Sequence, residues 1–151
     1  MNDQLIKQLI IEEFSHLQQS VNTLLLSVEK CENIGKKENY SFEEMESFDS
    51  LTSKFNRTSD LYTQKVLRTI WALLHEPFVP FIDLLNKSER LQIIDEAESL
   101  LAIRDLRNQI AHEYIPEAIT GLIPEVIGYC QALINNIDKT RAFIRNRNWI
   151  E

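Results

Sequence analysis

The chain has 151 residues, 44% of them hydrophobic and 26% charged, enough apolar side chain for one domain with a sizeable core. Its 16 Lys and Arg against 23 Asp and Glu give a net charge of −7, which argues against broad, sequence-independent DNA binding through a basic surface while leaving room for a small local phosphate site. Three Gly and four Pro are too few for the many turns of an all-β fold, and no apolar run reaches the roughly 20 residues of a membrane span.

The first segment has none of the marks of a signal peptide. Ile10, Phe14, Leu17, Val21, Leu24, Val28 and Cys31 are spaced alternately four and three apart, which predicts a long helix with a coiled-coil-like seam. Asn33–Tyr40, with Gly35, Lys36 and Lys37, is expected to turn. Ser41 and, three positions later, Glu44 read as a capping box that opens a second helix. Its apolar face (Phe48, Leu51, Phe55, Tyr62, Val66, Ile70, Leu73) runs to about Leu74, with a bend expected near Thr58–Asp60. Pro77 and Pro80 break that helix. Phe78, Val79 and Phe81 make the break apolar, so the loop is expected to pack down. Ser88 is expected to cap a third long helix that runs to the neighbourhood of Tyr114, where Pro116 ends it. After a turn through Gly121, Pro124 suits the first turn of a last helix, with Val126, Ile127, Cys130, Leu133, Ile134, Ile137 and Ile144 as its buried face. No repeat, low-complexity segment or linker divides the chain. The expectation is a single domain over residues 1–151, all-α, an up-and-down antiparallel bundle of four to five helices, soluble and cytoplasmic.

Cys31 and Cys130 lie far apart at apolar helix positions and read as core thiols. His16, His75 and His112 have no His or Cys partner at zinc spacing, so no metal site and no cofactor are expected. His16 lies beside the first seam and suits an interhelical contact, while His75 ends a helix, where a cation suits the dipole. Glu43, Glu44 and Glu46 are carboxylates that favour a helix start. Trp71 and the Phe78–Phe81 loop read as core rather than as a base-stacking platform. Arg57, Lys65 and Arg68 form either a solvated helix face or the border of an RNA groove. The basic stretch Arg141–Trp149 either contacts RNA or a partner, or frays.

The chemistry concentrates in Arg107-Asn108-Gln109-Ile110-Ala111-His112-Glu113-Tyr114. On an ideal helix Ile93, Ala97, Leu100, Ile103, Ile110 and Tyr114 form one apolar stripe. Arg107 projects from its middle, Arg104 and Asn108 share its face, and His112 lies at its edge. Polar groups on a face that should be buried are costly unless paired, so they form either a buried network or the lining of a functional cleft. An ion-pair partner for Arg107 has to come from another helix or chain, because Asp105 and Glu113 fall on the opposite face. Arg presents a permanent charge and a planar fork suited to phosphate; His titrates near neutral pH and can move protons. Together they suffice to cleave RNA without a metal, one handling protons as the 2′-hydroxyl attacks phosphorus, the other neutralising charge on the phosphoryl oxygens. His112 lies about 140° around the helix from Arg107. Two copies facing each other could bring both groups to one cleft, which favours a homodimer. Tyr114 lies only about 20° from Arg107 on the same reckoning.

This run resembles the motif of the HEPN superfamily and most closely its HepT branch: Arg, four residues, His, one residue, Tyr, with a polar residue after the Arg, here Asn108. The resemblance implies an all-α bundle and a metal-independent endoribonuclease, the toxin of a bacterial toxin–antitoxin pair, acting as a homodimer with its cleft between protomers. It implies as partner an MNT-type nucleotidyltransferase antitoxin that transfers AMP to the motif tyrosine. By position, Arg107 and His112 are then catalytic, Asn108 supporting, with Arg104 beside it on the same face, and Tyr114 the modified residue. The alternative within the same fold is a non-catalytic helical substrate-binding or regulatory subunit of a minimal nucleotidyltransferase.

Overall fold

In the computed structural model, which describes residues 2–150, helices carry most of the chain and no strand occurs among the described residues. The elements are α1 (Asp3–Ile34), α2 (Phe42–Asp60), a π-helical turn (Leu61–Val66), α3 (Leu67–Leu73), α4 (Phe81–Arg90), α5 (Ala97–Ala111) and α6 (Pro116–Asn146). Met1 and Glu151, the limits of the expected domain, lie outside the described residues. Among those residues no helix is long and apolar enough to cross a membrane.

Side-chain contacts fix the topology. Cys31 donates to the Ser47 carbonyl, Ser20 meets Thr58, and Glu13 meets Thr69, so α1 runs antiparallel to the rod made by α2, the π turn and α3. Thr120 meets Met45 and Thr140 meets Tyr62, so α6 runs parallel to α2, and the short link after Ala111 reverses α5 against α6. The result is the expected all-α up-and-down bundle. The seam residues Ile10 to Cys31 are all buried, as is the α2–α3 face from Phe48 to Leu73.

The expected turn after α1 is made by Gly35 at φ +71°, a backbone state that glycine adopts without penalty. The capping box also forms: the Glu44 N–H donates to Ser41 Oγ at 3.1 Å, and the Ser41 N–H to Glu44 Oε1 at 2.8 Å. Lys37 and the Ser41 N–H hold the Glu44 carboxyl below its ordinary range. Thr58–Asp60, the site of the expected bend, is α-helical, and a π-helical turn follows it at Leu61–Val66. Thr63 Oγ1 there donates to the Ser59 carbonyl at 2.8 Å, and Tyr62 and Val66 stay buried.

The structure departs from the expected elements at several points. The third helix is two helices, α4 and α5, broken at Leu91–Glu96. Ser88 does not cap it. Ser88 is buried near the end of α4, and its carbonyl accepts the Ile93 and Ile94 N–H groups, with Gln92 at φ +62°. This tight reversal carries Ile93 and Ile94 into the core. The C-terminal end of α5 comes at Ala111 and not at Tyr114. Ile115 is held extended before Pro116 (φ −101°, ψ 115°), as the proline ring requires. Pro116, not Pro124, opens α6, and both Pro124 and Gly121, the expected turn residue, sit inside it. Finally, Phe78 does not pack down: it is 83% exposed. Trp71 is core as expected, its indole N–H donating to the Pro77 carbonyl at 2.9 Å. Cys31 and Cys130 are buried free thiols. The C-terminal stretch is ordered against the bundle: Arg141 contacts Asp138 and Gln18, and Trp149 packs edge-on against Phe143 at 5.9 Å.

Candidate functional site: an arginine-lined cleft

Where α1, α2 with its π turn, and α5 meet, they enclose an open cleft of about 970 Å³. From α1 come Leu9, Glu12, Glu13 and His16; from α2 come Arg57, Ser59 and Asp60; from the π turn come Leu61, Thr63, Gln64 and Lys65; from α5 come Arg104, Arg107 and Asn108. The π turn places Asp60, Leu61, Gln64 and Lys65 on the cleft wall while Tyr62 and Val66 remain in the core. Such turns recur at functional sites because the added residue re-aims side chains.

Arg107 is the centre of this wall. Its Nε donates to Asp60 Oδ1 at 2.9 Å and its Nη2 to Asp60 Oδ2 at 2.7 Å, a fork-to-fork pair. The partner therefore comes from another helix of the same chain. The hydrogen bonds to Asp60 push the guanidinium pKa above its ordinary value, so Arg107 is a cation at every accessible pH. Two of its five N–H donors are committed to Asp60 and three remain for a ligand. Arg104 lies beside it, its guanidinium carbon 5.3 Å from the centre of the Phe81 ring. Glu13 is buried and accepts the Thr69 hydroxyl, with its two oxygens 2.8 and 3.0 Å away. Four cations (Arg57, Lys65, Arg104, Arg107) and three carboxylates (Glu12, Glu13, Asp60) line the cleft, and Arg104 also lies 3.4 Å from the exposed Asp105.

The structure brings Arg104, Arg107 and Asn108 together on this cleft and leaves His112 and Tyr114 off its lining. His112 caps the C-terminal end of α5, exposed, with φ −99° and ψ 1°. Tyr114 is 87% exposed and lines a separate hollow of about 260 Å³ with Phe42, Met45, Phe48 and the carboxylates Glu46, Asp49 and Glu113. The expected placement of Tyr114 beside Arg107 fails because α5 ends three residues earlier. Glu113 stabilises this exit, its Oε1 accepting the Tyr114 and Ile115 N–H groups at 3.1 and 3.0 Å.

Asp60 and Glu13 of the cleft carried no role in the sequence reading. His16 is exposed on the cleft wall rather than locked between helices. Arg57 and Lys65 line the cleft, while Arg68 does not. His75 follows α3 at φ +60° and pairs with Asp3 at 3.1 Å. Among the described residues no group of three or more His, Cys, Asp or Glu side chains is placed to hold a metal ion. In comparisons with known proteins, no family model and no curated protein matches the chain.

Proposed function

We propose that this chain is a metal-independent endoribonuclease of the HEPN type, HepT-like, that works as a homodimer. The observation that carries the reading is the placement of Arg107: an orientated, permanently charged guanidinium on an open cleft with three further cations, five residues before a solvent-exposed His112. Arg107 would bind the scissile phosphate and stabilise the charge that develops on its oxygens. His112 would exchange protons as the 2′-hydroxyl attacks phosphorus and the bond to the 5′ oxygen breaks. Because His112 of one chain lies off the Arg107 cleft, the second copy would supply the histidine. The exposed Tyr114 hydroxyl would be open to AMP transfer by a nucleotidyltransferase antitoxin. Tyr114 and Arg107 of one chain line different hollows, so the AMP group would act where two copies meet, beside His112.

The same separation of His112 from Arg107 favours a second reading, a helical subunit that binds substrate for, or regulates, a minimal nucleotidyltransferase without cutting RNA itself. Complementation separates the two. Purified wild-type protein should cut RNA in the presence of EDTA, while Arg107→Ala and His112→Ala should each be inactive with melting temperatures within a few degrees of wild type. Mixing the two variants should restore activity, since a mixed dimer holds one intact Arg–His pair. Failure of the folded variants to complement overturns the shared site. Intact wild type that leaves RNA uncut, or full activity in His112→Ala, overturns the nuclease reading and leaves the subunit reading.

A further inference from the structure

Phe78 is 83% exposed, yet the loop that carries it is held on both sides. The Pro77 carbonyl before it accepts the buried Trp71 indole N–H at 2.9 Å, and the Val79 carbonyl after it accepts Arg68 Nη1 at 2.7 Å. Pro77 and Pro80 restrict the backbone further. The Arg68 guanidinium carbon stands 4.7 Å from the centre of the Phe78 ring, so one side of the ring is backed by a cation while the ring as a whole stays open to solvent. An aromatic ring held outward contributes little to folding, and the α4 packing is made by Leu84 and Leu85 instead.

The platform adjoins the cleft. Phe81, three residues on, lies under Arg104 of the cleft wall, and Arg68 follows Lys65 of that wall by one helical turn. We propose that Phe78, backed by Arg68, is a base-stacking subsite for single-stranded RNA, taking an unpaired nucleobase while Arg104 and Arg107 hold the neighbouring phosphates. This rests on the ribonuclease reading and adds a substrate class to it. A rigid exposed ring next to a row of cations matches the stacking-plus-charge arrangement by which proteins hold single strands. A duplex keeps its bases stacked inside and offers nothing to such a ring.

The test uses a labelled 2′-O-methyl RNA, which 2′-hydroxyl attack cannot cut, as a single strand and as a duplex, beside cleavage of the unmodified strand. Phe78→Ala should weaken single-strand binding between about fivefold and a hundredfold, the range of one stacked base, and leave duplex binding unchanged. Phe78→Trp should bind like wild type, and Phe78→Leu like Phe78→Ala. All three should fold, since the ring is exposed. Unchanged binding by Phe78→Ala in a protein whose wild type binds and cuts RNA overturns the subsite alone. So does rescue by Leu equal to that by Trp, which would mark a non-specific apolar contact in place of ring stacking. Wild type that neither binds nor cuts the single strand overturns the ribonuclease reading, and the subsite with it.

Discussion

A guanidinium orientates a phosphate only if its fork is held in one pose, and for Arg107 that pose is set by Asp60. The pair is partly open to solvent, with 31% of the Arg107 and 42% of the Asp60 side chain exposed, so screening leaves it worth no more than about 1 kcal/mol to the fold. Its consequence lies in geometry and charge. Asp60→Asn should therefore melt within a few degrees of wild type. It should lower the KM for RNA, because a carboxylate leaves a cleft that must accept phosphate, and lower kcat, because Arg107 loses its anchor. Steady-state cleavage with kcat and KM resolved separately checks this; a fall in neither shows Asp60 to be only a surface partner. The motif gave Arg104, Arg107 and Asn108 as one face from their spacing, and the structure keeps them on one cleft. Asp60 was not legible that way. It lies 47 residues earlier, and the only local sign was the interruption of the apolar face near Thr58–Asp60.

At the scale of elements, what could be read was local. The α1 seam, the Ser41–Glu44 box and the α2–α3 face are set by residues within one or two turns of each other, and all formed as expected. The break before α5 is set from outside. Asn136 of α6, 1% exposed, accepts the Asp95 and Glu96 N–H groups on its Oδ1 at 3.0 and 2.9 Å, and its Nδ2 donates to Ser99 Oγ and the Ala132 carbonyl. Glu89 Oε1 accepts the Ala97 N–H at 2.8 Å. The caps of α5 thus come from α4 and from a helix some 40 residues on, beyond any local pattern, and the apolar stripe ran unbroken across the gap. Phe78 departs from the expected packing for a related reason: Val79 and Phe81 do pack against the core, while hydrogen bonds of the carbonyls flanking Phe78 fix the loop with its ring outward. Asn136→Ala should cost on the order of 1–2 kcal/mol, because two part-buried N–H groups lose their acceptor. Urea unfolding should show a lower midpoint with an unchanged slope, and hydrogen exchange should be fastest at Asp95–Ala97. A midpoint equal to wild type would mean that water replaces the cap.

For the whole molecule, the bundle keeps its charges on the cleft and outer faces and buries groups that ionise only in alkali. Tyr62, at the π turn, is fully buried and donates to Thr140 Oγ1 at 2.7 Å, which in turn donates to the Ile93 carbonyl at 2.8 Å. One hydrogen-bonded chain thereby ties the long rod, α6 and the break before α5. Burial pushes the Tyr62 hydroxyl well above its ordinary range. It also raises the Cys31 thiol, and it pushes the Cys130 thiol, with a smaller push from Glu32, up from 9.0 to about 12. Each of these groups keeps its proton in the folded state at a pH where the unfolded chain has released it. The folded state therefore binds more protons than the unfolded one, and stability must fall as pH rises. For Cys130 the contribution is fully present below pH 9 and is lost between about pH 9 and about pH 12, at up to about 1.4 kcal/mol per pH unit. Urea midpoints should accordingly hold level through neutral pH and decline steeply above pH 9. Cys130→Ala should start lower at neutral pH, by the cost of the small cavity it leaves, and decline less steeply in alkali. A Cys130→Ala curve parallel to wild type from neutral pH upward would show that this thiol does not drive the loss, and would leave Cys31 and Tyr62 as its sources.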